Sequence, residues 1–169
     1  MRNLVIGGIE VPVKASHTLS QNYKPVQAVS RVRMGSGALK QQTSWADKLI
    51  TDISASGLLP AGLQMLDYSQ PIIIKGVAER TVTSASNVIT VPTARRADYG
   101  VEGRALVGDK WQITAVSMGG DIATLTIVAS ATAYQAIYWP ELTCYCDPPT
   151  DNRNARAAVY SWDLVGEEI

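Results

Sequence analysis

The sequence predicts an all-β fold, a single barrel or sandwich of about eight to ten short strands with one short helix near 60–68. Three observations carry this. Short runs alternating apolar with polar residues recur along the chain, Gly, Pro, Asn and Asp separate them, and no repeat or low-complexity tract divides the 169 residues, which are read as one domain.

The elements follow in order. Leu4-Val5-Ile6, Gly7-Gly8 and Ile9-Glu10-Val11-Pro12-Val13 read as a hairpin, since Gly-Gly tolerates the positive φ of a two-residue turn. Pro12 has no N–H for a ladder, which predicts an edge position. Residues 24–34 read as a strand with Val26, Ala28, Val32 and Met34 on one face and Gln27, Arg31 and Arg33 on the other. Gly35-Ser36-Gly37 breaks it. In the stretch 44–55, Trp45, Leu49 and Ile53 are also spaced for a helix, but Ile50, Thr51 and Ile53 favour a strand.

Pro60, Leu63 and Leu66 suit one helical turn within 60–68. Strands are expected at 71–76, 79–83 and 87–91, and Ile72-Ile73-Ile74, apolar on both faces, predicts a covered one. Residues 92–110 read as a long irregular loop. Trp111, Ile113 and Ala115, a Gly119-Gly120 turn, and Ala123, Leu125 and Ile127 form the clearest hairpin. One or two strands lie in 134–146, a loop in 147–152, and a last strand in 156–165 with Ala158, Tyr160, Trp162 and Leu164 on one face, ended by Gly166.

Composition narrows the function. Fifteen basic and fifteen acidic residues cancel, which disfavours general binding to nucleic acid. Charged residues make up only 18% of the chain, as expected where copies or partners cover the surface, and zero net charge does little to keep monomers apart. No segment approaches the roughly 18 consecutive apolar residues of a membrane span, so no membrane is expected. The start, 1–8, has too short an apolar run for a signal peptide, which predicts a cytoplasmic site of synthesis.

The residue types that carry chemistry are sparse, and no catalytic, cofactor or metal site is predicted. His17 is the one histidine, and no Gly-x-Ser-x-Gly elbow accompanies it. Cys144 and Cys146 share a strand face, too close for a relaxed disulfide; they read as two packed thiols, with a soft-metal site of both thiolates and the Asp147 carboxylate, completed across a subunit interface, as the alternative. Met34-Gly35-Ser36-Gly37-Ala38-Leu39-Lys40 lacks the spacing of a phosphate loop. Asp47, Asp52, Asp67, Glu102, Asp109, Asp121 and Glu141 are scattered acids. Arg31, Arg33, Arg95, Arg96, Arg153 and Arg156 serve either an interface or solubility. Trp45, Trp111, Trp139 and Trp162 are expected mostly in the core or at its rim.

Four segments carry a resemblance: 6–13 (Ile-Gly-Gly-Ile-Glu-Val-Pro-Val), 33–40 (Arg-Met-Gly-Ser-Gly-Ala-Leu-Lys), 43–49 (Thr-Ser-Trp-Ala-Asp-Lys-Leu) and 160–168 (Tyr-Ser-Trp-Asp-Leu-Val-Gly-Glu-Glu). In these the chain resembles small structural proteins of tailed bacteriophages, of the tail-tip, baseplate or tail-completion type. The resemblance implies a non-enzymatic virion protein, assembled in the host cytoplasm, that forms or braces a homo-oligomeric ring around the tail tube beside tube, hub or baseplate proteins. It implies no catalytic residue. The loops at 14–24, 35–43, 92–110 and 147–155 are the expected contact segments. A head decoration or head–tail connector protein is the alternative of the same class, and a carbohydrate-binding module that of another.

Overall fold

The computed structural model describes residues 3–169. Met1 and Arg2, the first residues of the segment weighed as a signal peptide, lie outside them. The chain is nearly all β. Among the described residues the strands are β1 (Val5–Ile6), β2 (Ile9–Glu10), β3 (Ser20–Arg33), β4 (Leu39–Gly57), β5 (Ile72–Lys75), β6 (Arg80–Ser84), β7 (Val88–Thr90) and β8 (Glu102–Val107). They continue with β9 (Lys110–Thr114), β10 (Val116–Gly119), β11 (Ile122–Leu125), β12 (Ala131–Tyr138), β13 (Glu141–Cys146), β14 (Thr150–Asn154) and β15 (Val159–Glu168).

The strands form three sheets and no closed barrel. The largest runs β2-β1-β5-β13-β15-β4-β3, with β14 added to β15; the others run β10-β11-β7 and β6-β12-β8-β9. Fifteen strands replace the expected eight to ten: β8 and β14 form inside the stretches 92–110 and 147–155 that read as loops, and the run from 111 to 119 divides into β9 and β10. The one helical element among the described residues is a 3₁₀ turn at Val13–Ala15, not at 60–68. There Tyr68 donates to the Leu63 carbonyl at 2.7 Å and Leu66 N–H to the same oxygen at 3.3 Å, so turns satisfy the backbone without a helix.

By contacts the chain forms two compact units, one of 3–5 with Ile74–Leu142, the other of Ile6–Ile73 with Thr143–Ile169. Each is assembled from segments far apart in sequence, so no linker marks the division. In the first unit, Ile89, Val91, Ala105, Ala123, Leu125, Tyr134, Ala136 and Tyr138 form a buried cluster. Arg96, only 3% exposed, donates to the carbonyls of Asn3, Lys75 and Gly76 and to both oxygens of Asp98. Arg95 binds Asp121 at 2.8 Å and the carbonyls of Pro92 and Gly120, locking the β10–β11 turn to the segment after β7. The expected irregular stretch 92–110 therefore contains β8 and the start of β9, and only its first half is irregular.

In the second unit the inner face of the large sheet is closed by alternation. Thr51, Ile53 and Ala55 of β4, Trp162 and Leu164 of β15, and Cys144 and Cys146 of β13 are all buried. Trp162 Nε1–H donates to the Ala15 carbonyl at 3.0 Å, so the largest buried side chain also satisfies its polar atom. The 3₁₀ turn reaches this position because β4 ends at Gly57, where a Cβ would stand 2.2 Å from the Lys14 carbonyl oxygen. β15 begins at Val159 rather than 156 and continues through Gly166, so Ala158 lies in the preceding turn.

Candidate assembly interface

The most distinctive surface is an arm. β3 and β4 pair antiparallel from Ser20↔Ser54 outwards to Arg33↔Leu39, but β15 pairs with β4 only from Gly57 to Ile50. Beyond that last rung β3 and β4 continue as a two-stranded ribbon with both edges open, from Pro25↔Leu49 to Arg33↔Leu39, reaching roughly 30 Å further at about 3.3 Å per residue. Where the ladder stops, the Glu168 carboxylate accepts the next free N–H, that of Leu49, at 2.8 Å. Lys48 Nζ binds the Ile169 carbonyl beside it.

Local sequence explains the arm. Register shifts at Val26–Ala28 and Ala28–Val29, with Asp47 at φ 65°, place bulges at its base, where a ribbon bends and twists. Pro25 removes one donor from the outer edge. At the tip, Gly37 N–H donates to the Met34 carbonyl at 2.8 Å and Met34 N–H to the Ala38 carbonyl at 2.9 Å. Gly37 takes φ 82°, which glycine adopts freely, closing a three-residue hairpin loop. The sequence 34–40 is thus a hairpin tip and the beginning of β4.

Both faces of the arm are exposed. Val32 (61%), Met34 (55%), Leu39 (57%) and Trp45 (49%) lie open, although their alternation reads like a core strand. Register puts Arg31 opposite Gln41 and Arg33 opposite Leu39 on one face, and Val32 opposite Lys40 on the other. Arg31 Nε donates to Gln41 Oε1 at 2.9 Å and Arg33 Nη1 to the Gly37 carbonyl at 3.2 Å, which stiffens the arginines while leaving further donors available. From 28 to 46 there are three basic residues and no acid.

At the root of the arm, the outer face of the same sheet is different. Asp52 on β4, Asp163, Val165 and Glu167 on β15, and Tyr145 on β13 all point outward and are exposed. Lys24 lies at one corner of this face, opposite Ile50. Two hollows flank it. One, of about 270 Å³, is lined by Val26, Trp45, Leu49 and Ile50 among others; the second, of about 360 Å³, by Tyr68, Tyr145, Cys146, Asp147, Val165 and Glu167.

The other residues of chemical interest are dispersed. His17 is exposed in the turn after the 3₁₀ element. Cys144 and Cys146 are free thiols buried on the inner face; burial pushes Cys144 up to about 12 and Cys146 up to about 11, with nearby Glu168 and Asp147 adding to it. Burial likewise raises the Tyr68 hydroxyl to about 12. Such thiols stay protonated near neutrality and are poor nucleophiles or ligands. Among the described residues no group of three or more His, Cys, Asp or Glu is placed to hold a metal ion.

The six arginines singled out from the sequence divide by role. Arg31 and Arg33 serve the arm, Arg95 and Arg96 are structural, Arg153 on β14 lies 5.5 Å from the ring centre of Tyr160, and Arg156 is exposed in the turn between β14 and β15. Trp139 and Trp162 are core residues, whereas Trp45 and Trp111 are exposed. Of the expected contact loops, 14–24 contains the 3₁₀ turn and the start of β3, 35–43 the start of β4, and 147–155 the strand β14. No helix among the described residues is long and apolar enough to cross a membrane. No protein-family model matches the chain, and neither a curated protein nor a solved structure is similar to it.

Proposed function

We propose that this chain is a non-enzymatic structural subunit of a virion tail, one that assembles with copies of itself and with tube, hub or baseplate proteins to brace a ring around the tail tube. The observation that carries the assembly role is the β3–β4 arm. A two-stranded ribbon is marginal on its own in water, and open strand edges with exposed apolar side chains are a template for protein contacts. Ordinary surface design would have shortened or covered such a ribbon. The virion tail setting rests on the sequence resemblance.

Sedimentation velocity over a range of concentrations, alone and with tail-tube and hub proteins, tests the role. Association in either arm of the experiment is expected, and a monomer indifferent to both overturns it. Labelled particles in electron micrographs test the setting, with label at the tail tip expected and label on the head favouring a decoration or connector protein. A second reading has its own observation: Trp45, Trp111 and Tyr145 are exposed aromatics of the kind that stack on sugars. Glycan binding abolished by Trp111→Ala would favour a carbohydrate-binding module instead.

A further inference from the structure

We infer that the arm of one copy docks on the outer root face of a second copy, with Arg31, Arg33 and Leu39 meeting Asp52, Asp163 and Val165. The inference rests on the self-assembly reading above and specifies its surfaces. Charge makes the argument. The chain is neutral as a whole, yet within one compact unit the arm carries Arg31, Arg33 and Lys40 with no acid between 28 and 46. The root face carries Asp52, Asp163 and Glu167, with Lys24 at its corner and Lys48 already engaged by the Ile169 carbonyl.

The two surfaces also match in apolar content. Leu39 is exposed opposite Arg33, and Val165 is exposed opposite Asp52 between Asp163 and Glu167. Both present side chains at the two-residue period of a strand, about 6.8 Å apart along one face. Guanidinium forks take carboxylates bidentately, so Arg31 and Arg33 are suited to this pairing beyond their charge. Arm-on-arm pairing between two copies would oppose like charges. Arm-on-root pairing joins different patches, which is a head-to-tail contact of the kind that closes into rings.

The experiment uses two charge-reversed forms of the full chain, Arg31→Glu with Arg33→Glu and Asp52→Lys with Asp163→Lys, each at exposed positions and each checked by circular dichroism. Sedimentation velocity of either variant alone should show self-association weakened by at least about tenfold, because like charges then face each other. Mixing the two should restore association, since the reversed arm meets the reversed face. A misfolded variant could not be rescued in this way. Wild-type self-association should also weaken with added salt.

Self-association of either variant equal to wild type, or a mixture that stays as weak as its components, overturns the docking while leaving the assembly role in place. A wild-type chain that is monomeric at every concentration overturns both the docking and the self-assembly on which it rests. Binding of duplex DNA that is lost in the Arg31→Glu, Arg33→Glu variant, with self-association unchanged, would assign the arm to nucleic acid and overturn the inference.

Discussion

Arg96 grips Asp98 through two parallel hydrogen bonds, Nε to Oδ1 at 3.0 Å and Nη2 to Oδ2 at 2.7 Å, while the Tyr99 ring lies 4.2 Å from the guanidinium carbon. The third nitrogen serves the Asn3, Lys75 and Gly76 carbonyls. Arg96→Ala leaves these acceptors without a donor and should cost about 2–4 kcal/mol. A thermal melt should fall by roughly 5–15 °C. Arg96→Lys should recover little of it, because a point charge cannot replace the fork.

The same pair predicts a pH dependence. The hydrogen bond from Arg96, with the positive charges of Arg96 and Lys75, holds the Asp98 carboxyl below its ordinary 3.8. A depressed folded-state value means the contribution is complete above the unfolded value and is lost as pH falls through the folded one. Melting temperature should therefore decline on acidification below about pH 4. Asp98→Asn should start less stable and decline less over the same range.

At the alkaline end the two thiols and Tyr68 act in the opposite sense. Their folded values are raised, to about 12 for Cys144 and Tyr68 and about 11 for Cys146, so they favour the folded chain below their unfolded values and lose that contribution as pH rises through the folded ones. In the native protein near neutrality both thiols should resist alkylation by iodoacetamide. Mass spectrometry should show rapid double alkylation only after denaturant is added.

Gly57 provides a steric test. A Cβ there would lie 2.2 Å from the Lys14 oxygen and 2.7 Å from Ala15 Cα, all backbone, so relief requires moving the 3₁₀ turn that accepts the Trp162 indole N–H. Gly57→Ala should destabilise by about 2–3 kcal/mol, visible as a lower urea midpoint with an unchanged slope. A quench-sensitive change in Trp162 fluorescence should accompany it.

Local chemistry made some elements legible. The β1–β2 hairpin follows from Gly7-Gly8, which take φ 57° and 81°, and the strand over 44–55 lies wholly within β4. Turn position was less exact: Gly119 pairs with Ile122, so the turn is Gly120-Asp121. What failed was the assignment of faces. Alternation identifies the two sides of a strand but not which one is covered, and Val32 and Met34 are exposed where the pattern suggested burial. Trp111 and Ile113, on β9 in another sheet from β10–β11, are also exposed. Gly103 falls in the stretch 92–110 read as a loop; it lies in β8, where Val116 and Leu125 pack at the place its Cβ would take, a tertiary constraint with no local trace. The arm was visible as two strands, but its openness depends on where β15 stops.

The order in which the ribosome delivers the strands gives β15 a particular weight. The segment Ile74–Leu142 is complete in the nascent chain while β14 and β15 are still untranslated. β4 needs the last-made strand along Ile50–Gly57, so until then its inner edge is as bare as the arm itself. During synthesis, then, the chain displays a β-ribbon template longer than the finished arm, since all of β3 and β4 is open on that side. Neighbouring nascent chains on one message are most exposed to mispairing in that interval.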